Sequence, residues 1–570
     1  MSRARLATLA AAAAVAGFYL WTASEGRPFP LGQPQDGHYN LMARALLKGQ
    51  LHLEVTPRAE LFTLVDPYDP AKNAPFRLHD ATLYQGRYYL YYGIAPALVS
   101  FVPYRLLGLG DLPETLASAD FAIGAFLCGA LLLRRLVRLC APATPPWLGV
   151  LAVVALGLCN GMPFILRGPS VYEVAISAGA FFLLASALAF ASAGDEGRVR
   201  PGLLALGSLC AAFAVASRPN HLFAAPLLLA VAWVAVRPLP RRLGPLLAAA
   251  VLPLAAGLAL IAGYNLARFG SPFEFGTRYQ LSGNHPHGLL WLDPRTILPG
   301  LYFNFLAPPS LRLEFPFVFL ERRYPGTLPA GYFGPELIAG VVFLAPFVLL
   351  LLAARPILRL VRRDQGGRGP ALVVLLAGIG LANPLVTSFL IGAANQRYVA
   401  DYVSFLVIPA LVLWLAGRGR WPAPRRRRLL LGAAFAGSVA WACAAALALS
   451  LTGYEDALRR GNPALYESIA RRFDPLRAFL GRLFVRDGRA VMRFRAAFPE
   501  RAAFPKEPLL GSGTPGAQDV LLVHDVGPGL VAFSVDHVDA STPPTAPVRV
   551  RPGRFHALDV ELDRVLGRVV

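Results

Sequence analysis

Long apolar runs, separated by short polar or proline-bearing stretches, fill the first 450 positions of the chain. A helix crossing a bilayer needs about 20 mostly apolar residues. Eleven runs meet that need: 5–22, 115–133, 146–166, 171–193, 201–217, 220–236, 243–265, 335–354, 370–392, 401–417 and 429–451. Beyond them the pattern changes. An amphipathic helical stretch near Tyr466 to Phe484 is followed by short alternating segments at 488–496, 518–524, 528–536, 546–550 and 554–561. Gly, Pro, Asp and Ser turns separate these segments, the pattern of a small β-sandwich. The expected fold is an all-α polytopic membrane protein with about 11 transmembrane helices and a small C-terminal β-sandwich domain. Its expected parts are a membrane domain at 1–451 with outer loops 23–114 and 266–334, a helical connector at 452–485, and a β-rich domain at 486–570.

Charge sets the expected orientation. With the N-terminus inside, the inner segments hold Arg3 and Arg5, Arg134, Arg135 and Arg138, and Arg198 and Arg200. They continue with Arg237, Arg241 and Arg242, then Arg355, Arg359, Arg362, Arg363 and Arg368, then Arg418, Arg420 and Arg425 to Arg428. Only Asp195, Glu196 and Asp364 oppose them there. This is a positive-inside pattern. It accounts for most of the net charge of +21 and so removes the case for a nucleic-acid partner. Residues 88–108 are apolar but hold two prolines and five tyrosines. A crossing there would invert every later loop, so the segment is expected to lie at the outer interface. Tyr19, Leu20 and Trp21 close the first run with an interfacial aromatic signature, which favours an uncleaved helix over a signal peptide. The three outer regions are then 23–114, 266–334 and 452–570.

Composition adds two points. Hydrophobic residues make up 55% of the chain and charged residues 16%, too apolar for a soluble protein of this size. Lysine occurs only at 48, 72 and 506, amid abundant Arg, Ala, Gly and Pro, which suggests a GC-rich bacterial source and an inner-membrane location. Cys128, Cys140, Cys159, Cys210 and Cys443 all lie in or beside apolar runs and read as packing residues, with no disulfide framework or zinc site.

Candidate chemistry gathers on the outer side. Acids are costly in a bilayer and are usually functional there. Asp120, Glu173, Glu336 and Asp401 all stand at outward-facing ends of the runs. Arg167, Arg218 and Arg397 depart from the inside bias in short outer loops, and Arg278 lies in a long one. Snorkelling to lipid headgroups competes with any functional role for each arginine.

The first outer loop begins PQDGHYNLMARALLKGQLHLE, placing Asp36, Tyr39, Ala43 and Gly49 just past the first span. Further on come HDATLYQGRYYLYYGIAPALVSFVPYRLLG, RFGSPFEFGTRYQ and NQRYVADY. In order and topology these resemble the GT-C glycosyltransferase superfamily over about 450 residues. That superfamily includes protein O-mannosyltransferases, the lipid A aminoarabinose transferase and the bacterial RgtA/B/C/D-like transferases. The resemblance implies an inverting transfer of a sugar from a polyprenyl-phosphate donor to a saccharide, lipid or protein acceptor on the outer side. It implies Asp36 as the general base for the acceptor hydroxyl. It implies Arg167, Arg218, Arg278 and Arg397 as candidate donor-phosphate ligands. Tyr39, His79, Asp80, Glu173, Tyr398 and Asp401 are the candidate substrate-binding residues. His79 and Asp80 read equally as a turn or helix cap. Tyr84, Tyr88, Tyr89, Tyr91 and Tyr92 read as sugar-stacking or interfacial residues. Several relatives carry a second acid directly after the first Asp; here Gly37 stands there, which weakens the case for a divalent cation.

Two other classes compete. A transporter would place polar groups and broken helices near the midplane; Gly157, Asn160 and Pro163 within one run are the features that favour it. A non-catalytic glycan-binding or assembly protein would use the β-rich region to bind and the helices as an anchor.

Overall fold

The computed structural model describes residues 3–562 except 196, 238–242, 289, 334, 335, 419, 421–423, 485–489, 500–505, 515, 516, 538, 539, 542 and 543. Arg241, Arg242, Glu196 and the first two residues of the expected 488–496 strand therefore lie outside the described residues. The chain forms two compact units, Met1–Leu311 with Val318–Glu467, and Arg312–Phe317 with Ser468–Val570.

The first unit is helical. Seven helices among the described residues are long and apolar enough to cross a membrane: Arg3–Ser24, Glu114–Cys140, Val171–Ser192, Pro219–Val236, Leu243–Phe269, Arg368–Leu390 and Arg425–Gly461. These match seven of the eleven expected runs, and the chain reads as a multi-pass membrane protein. The other four runs form shorter or broken helices, for local reasons. The 146–166 run stops as the helix Pro146–Cys159. The Asn160 side chain there accepts from the Met162 N–H at 3.0 Å and donates to Tyr19 Oη at 2.7 Å, and Gly161 turns left-handed at φ +81. The 335–354 run breaks at Ala345 and Pro346, between the helix Val341–Leu344 and the 3-10 turn Pro346–Ala353. Pro201–Ser217 and Ser404–Gly417 are helical but shorter than a full span. The 88–108 segment forms only the ten-residue helix Ala97–Leu106, too short to cross.

The interior is continuous from the first helix outward. The longest packing contacts join Glu114–Cys140 to Val171–Ser192, Val171–Ser192 to Pro201–Ser217, and Pro201–Ser217 to Leu243–Phe269. Small residues permit the close approaches. A Cβ on Gly207 would lie 2.6 Å from the Phe190 ring, and one on Gly257 would lie 2.4 Å from Ala212 Cβ. The outer loop after the first helix is ordered by the helix His38–Leu47 and the hairpin Thr82–Tyr84 with Arg87–Tyr89. Gly93 carries this loop onto the end of the Pro201–Ser217 helix, where a Cβ would stand 2.0 Å from the Ala216 carbonyl oxygen.

The second unit holds the β structure. Lys506–Thr514, Ala517–Gly527 and Leu530–His537 run antiparallel in one sheet, extended by Ala540–Ser541 and Val548–Arg549, which both pair with Leu530–His537. Ala490–Ala497 and Phe555–Leu562 make a separate two-stranded pair. Phe498, Val531 and Val550 form a small buried cluster. Strand Lys506–Thr514 was not anticipated, because Pro508, Gly511 and Gly513 break its alternation.

Replacing Gly93 by Ala is expected to lower stability by about 1–3 kcal/mol through overpacking against backbone. Gly149→Ala, at a helical glycine with open space around it, is expected to be neutral or stabilising. Thermal unfolding of the detergent-purified protein compares the two.

Candidate functional site

The site begins at the head of the Val171–Ser192 helix. Ser170 is extended, and both its N–H and its hydroxyl donate to Glu173 Oε2 at 2.9 Å. This capping box satisfies the orphan donors of the helix start. It also leaves the other oxygen, Glu173 Oε1, to face Arg397 Nη1 at 3.3 Å.

Arg397 is placed by the opposite end of the chain. The Asn395 side chain accepts from the Arg397 N–H at 2.8 Å and starts the 3-10 turn Gln396–Asp401. Arg397 Nη2 reaches Glu336 Oε2 at 3.2 Å, and the Asn395 amide also donates to Glu336. The guanidinium carbon sits 4.4 Å from the ring centre of Tyr172 and 4.4 Å from that of Tyr454. Two carboxylates and two aromatic faces thus enclose one cation that is 8% exposed. Burial alone weakens a guanidinium's hold on its proton, but Glu173 and Glu336 outweigh it and push the Arg397 pKa up.

A second ion pair lies alongside. Arg218 is extended between the Pro201–Ser217 helix and the turn Pro219–Ala224. Its Nη2 stands 3.0 Å from Asp401 Oδ2, and its guanidinium lies 5.3 Å from the Tyr398 ring centre. His221 Nε2 is 3.6 Å from the other oxygen, Asp401 Oδ1. Burial pushes the Asp401 carboxyl up to about 6, against the pull of Arg218.

Asp80 completes the cluster from the first outer loop. It is a buried non-glycine residue at φ +58, a conformation that costs energy and that clusters at functional sites. Its backbone pairs with the second outer loop: the Asp80 N–H donates to the Leu281 carbonyl and the Leu281 N–H to the Ala81 carbonyl, each at 2.9 Å. Its carboxylate accepts from Gln280 Nε2 at 2.9 Å and from the Tyr172 hydroxyl. Burial raises its pKa above the usual carboxylate range, while His79, 3.6 Å away, and Gln280 pull it down. His79 itself is largely exposed, and its carbonyl lies 3.0 Å from His38 Nε2. Burial pushes His38 down to about 4, so it is neutral at pH 7.

Tyrosines fill the space between these charges. Tyr39 is fully buried, stacks on Phe101 at 5.3 Å and donates to the Gly93 carbonyl at 3.2 Å. Tyr91 and Tyr92 lie 4.5 Å apart, and Tyr92 meets Tyr172 edge-on at 5.3 Å. Among the described residues, Arg397 Nε, Arg218 Nε and the Tyr92 hydroxyl are buried with no hydrogen-bond partner. A buried donor left unmade costs about 1–3 kcal/mol. The cluster therefore holds three such donors.

The expected site residues divide. Arg218, Arg397, Asp80, Glu173, Tyr398 and Asp401 are brought together, with Tyr39 and His79 at the edge. Asp36 is not: its carboxylate is 90% exposed and pairs with Arg44 at 3.2 Å. Arg44 also holds Glu54 at 2.9 Å and Asp111 at 2.7 Å, so Asp36 is the outermost of three acids on one cation. Next to it, Gly37 lies on the buried Glu114 carboxylate, 2.4 Å from where a Cβ would stand. Arg167 is buried against Gly453, the residue before Tyr454, donating from Nε to the Ser450 carbonyl at 2.7 Å and lying 5.2 Å from the Trp21 ring centre. Arg278 is 76% exposed and stands 3.7 Å from Glu274. Sequence reasoning did not carry Tyr172, His221, Gln280 or Asn395 into the site. Each lies within three residues of one that it did carry, Glu173, Arg218, Arg278 or Arg397, and that proximity was the available signal. Among the described residues no group of three or more His, Cys, Asp or Glu side chains is placed to hold a metal ion.

No protein-family model matches the sequence, and no curated protein matches it. Its structure is similar to that of ArnT from Cupriavidus metallidurans bound to undecaprenyl phosphate, with 14% identity, 82% of this chain and 79% of that chain covered, and a TM-score of 0.39. It is also similar to the Archaeoglobus fulgidus oligosaccharyltransferase in its apo form, with 10% identity, 82% and 59% covered, and a TM-score of 0.43.

Arg397→Gln is expected to destabilise the protein by about 3–5 kcal/mol, because it strands two buried carboxylates. Adding Glu336→Gln to that variant is expected to recover part of the loss. Thermal unfolding of the single and double variants reads both effects.

Proposed function

We propose that this chain is an inverting glycosyltransferase of the bacterial inner membrane, moving a sugar from a polyprenyl-phosphate donor to an acceptor on the outer side. The observation that carries this reading is the buried cluster of two arginines whose Nε–H donors, with the Tyr92 hydroxyl, lack hydrogen-bond partners among the described residues, beside the buried carboxylate of Asp80. The sequence resemblance to GT-C transferases at the same segments supports it.

Phosphate and sugar oxygens are the acceptors these donors suit. Each guanidinium already faces a carboxylate, so a donor phosphate competes for it. Glu336, the less buried partner of Arg397, is the acid such a phosphate would displace. A planar guanidinium suits that contact because its fork matches two oxygens at once. An apolar pocket runs from Gln396, next to Arg397, past Phe164, Leu344, Val403 and Leu449.

In the reaction the acceptor hydroxyl oxygen bonds to the anomeric carbon from the face opposite the phosphate. The bond from that carbon to the phosphate oxygen breaks, and polyprenyl phosphate leaves with the electron pair. The hydroxyl proton passes to a carboxylate. Asp80, rather than Asp36, is the carboxylate placed for that role. It sits between the His79 edge and the Arg397 cluster, and three segments hold it. Glu173 and Asp401 are committed to arginines and position them.

Asp80→Asn is expected to lower kcat by about 10²–10⁴-fold, the usual share of a general base. Asp36→Asn is expected to cost less than about tenfold, as a surface residue outside the cluster. The measurement is sugar transfer by the reconstituted protein from a polyprenyl-phosphate sugar. Full activity in both variants overturns the assignment of the base, and no transfer by the unaltered protein with any such donor overturns the function. A base must be ionised, and burial raises the Asp80 pKa. Activity is therefore expected to fall on acidification at a pH above the ordinary Asp value of about 3.9. That limb disappears in Asp80→Asn.

A further inference from the structure

A second cavity lies at the other ends of the helices that carry the site. It has a volume of about 660 Å³ and is walled by Glu114–Cys140, Val171–Ser192 and Pro201–Ser217. Arg134, Arg138 and Arg200 line one end of it, and Leu131, Phe181 and Leu206 line the rest. The grading is geometric. Leu131, Arg134 and Arg138 repeat at three- and four-residue spacing and so share one face of their helix. From Arg138 to Cys128, the lining residue furthest back along that helix, is ten residues, or about 15 Å of helix. The cavity thus passes from guanidinium to hydrocarbon over the length of a lipid headgroup and the first part of a chain.

Its flank is open. Leu131 is 53% exposed and Leu206 48% exposed, and both lie on helices read as membrane-embedded. The opening therefore faces the hydrocarbon of the bilayer. Arginines along a helix end alone are the ordinary inner-face bias. A cavity of this size beneath them, apolar at depth and open sideways to lipid, is a further feature that topology does not require.

We propose that this cavity is a binding site for an anionic phospholipid of the surrounding membrane. The lipid phosphate sits among Arg134, Arg138 and Arg200, and an acyl chain lies along Leu131 and Leu206. Charge complementarity selects the occupant: an anionic headgroup between transmembrane helices on the basic side is held by such a pocket, and a zwitterionic one is not. The site is separate from the outer cluster and stands whether or not the chain is a transferase.

The test uses the full-length protein in a non-ionic detergent, titrated with short-chain phosphatidylglycerol, with thermal unfolding giving the apparent Kd. Phosphatidylglycerol is expected to bind saturably and at least tenfold more tightly than phosphatidylcholine of the same chains. In the Arg134→Gln/Arg138→Gln double variant that preference is expected to vanish. Ala185→Trp, which fills the cavity and keeps every arginine, is expected to weaken phosphatidylglycerol by at least tenfold and serves if the double variant does not fold. Inorganic phosphate is expected not to compete. Equal binding of the two lipids, unchanged binding in a folded variant, or full competition by inorganic phosphate overturns the proposal; the last result would assign the cavity to a free anion.

Discussion

One buried cation organises the end of the helical unit that holds the candidate site. Arg397 is enclosed by Glu173, Glu336, Tyr172 and Tyr454, which belong to the head of one helix, the loop before the broken Val341–Ala353 stretch, and the end of the last long helix. A charge in a low-dielectric interior is tolerated only when it is paired and hydrogen-bonded. That demand fixes where these segments meet, because any other docking leaves a guanidinium or a carboxylate stranded. The aromatic faces add cation–π attraction, which strengthens as water is excluded. The Arg218–Asp401 pair hangs on the same turn, Gln396–Asp401, so the two ion pairs are positioned by one short stretch of backbone.

The outer loops are tied to this arrangement by backbone pairing more than by side chains. Residues 80–82 pair with 280–281 in the manner of a strand edge, joining two loops almost 200 positions apart. Loops built this way present side chains from a rigid support, which is how functional groups on connecting segments are usually held. Asp80 carries that support and the site at once. Its left-handed backbone turns the carboxylate toward Tyr172 and Gln280 while its amide completes the pairing.

Much of this was legible in the chain. Seven of the eleven apolar runs form helices long enough to cross a bilayer, and within residues 88–108 the one helix, Ala97–Leu106, is short. The exceptions have local causes that hydropathy does not register. Asn160 and Gly161 end a helix by side-chain capping and a left-handed turn, and Pro346 follows a broken backbone at Ala345. The rule that charges defying the inside bias are informative found Arg218 and Arg397, which meet in space. Arg167 and Arg278 take other partners, Ser450 and Glu274, because a position in a loop says nothing of which way a side chain turns. Asp36 shows the same gap: a place in a motif order is not a place in a cavity. Gln280 ends a segment singled out in the sequence yet drew no role there, since an amide of this kind acquires one only when two distant loops pair.

The contact between Gly37 and Glu114 bears on how this chain departs from the proteins it resembles. A Cβ on Gly37 would stand 2.4 Å from the Glu114 carboxylate, so a side chain there would have to push that flexible carboxylate aside. That carboxylate arrives from residue 114, at the mouth of the next helix, 77 positions downstream. An acid grafted at position 37 to mimic the relatives would therefore duplicate a group already there, and would have to evict it first.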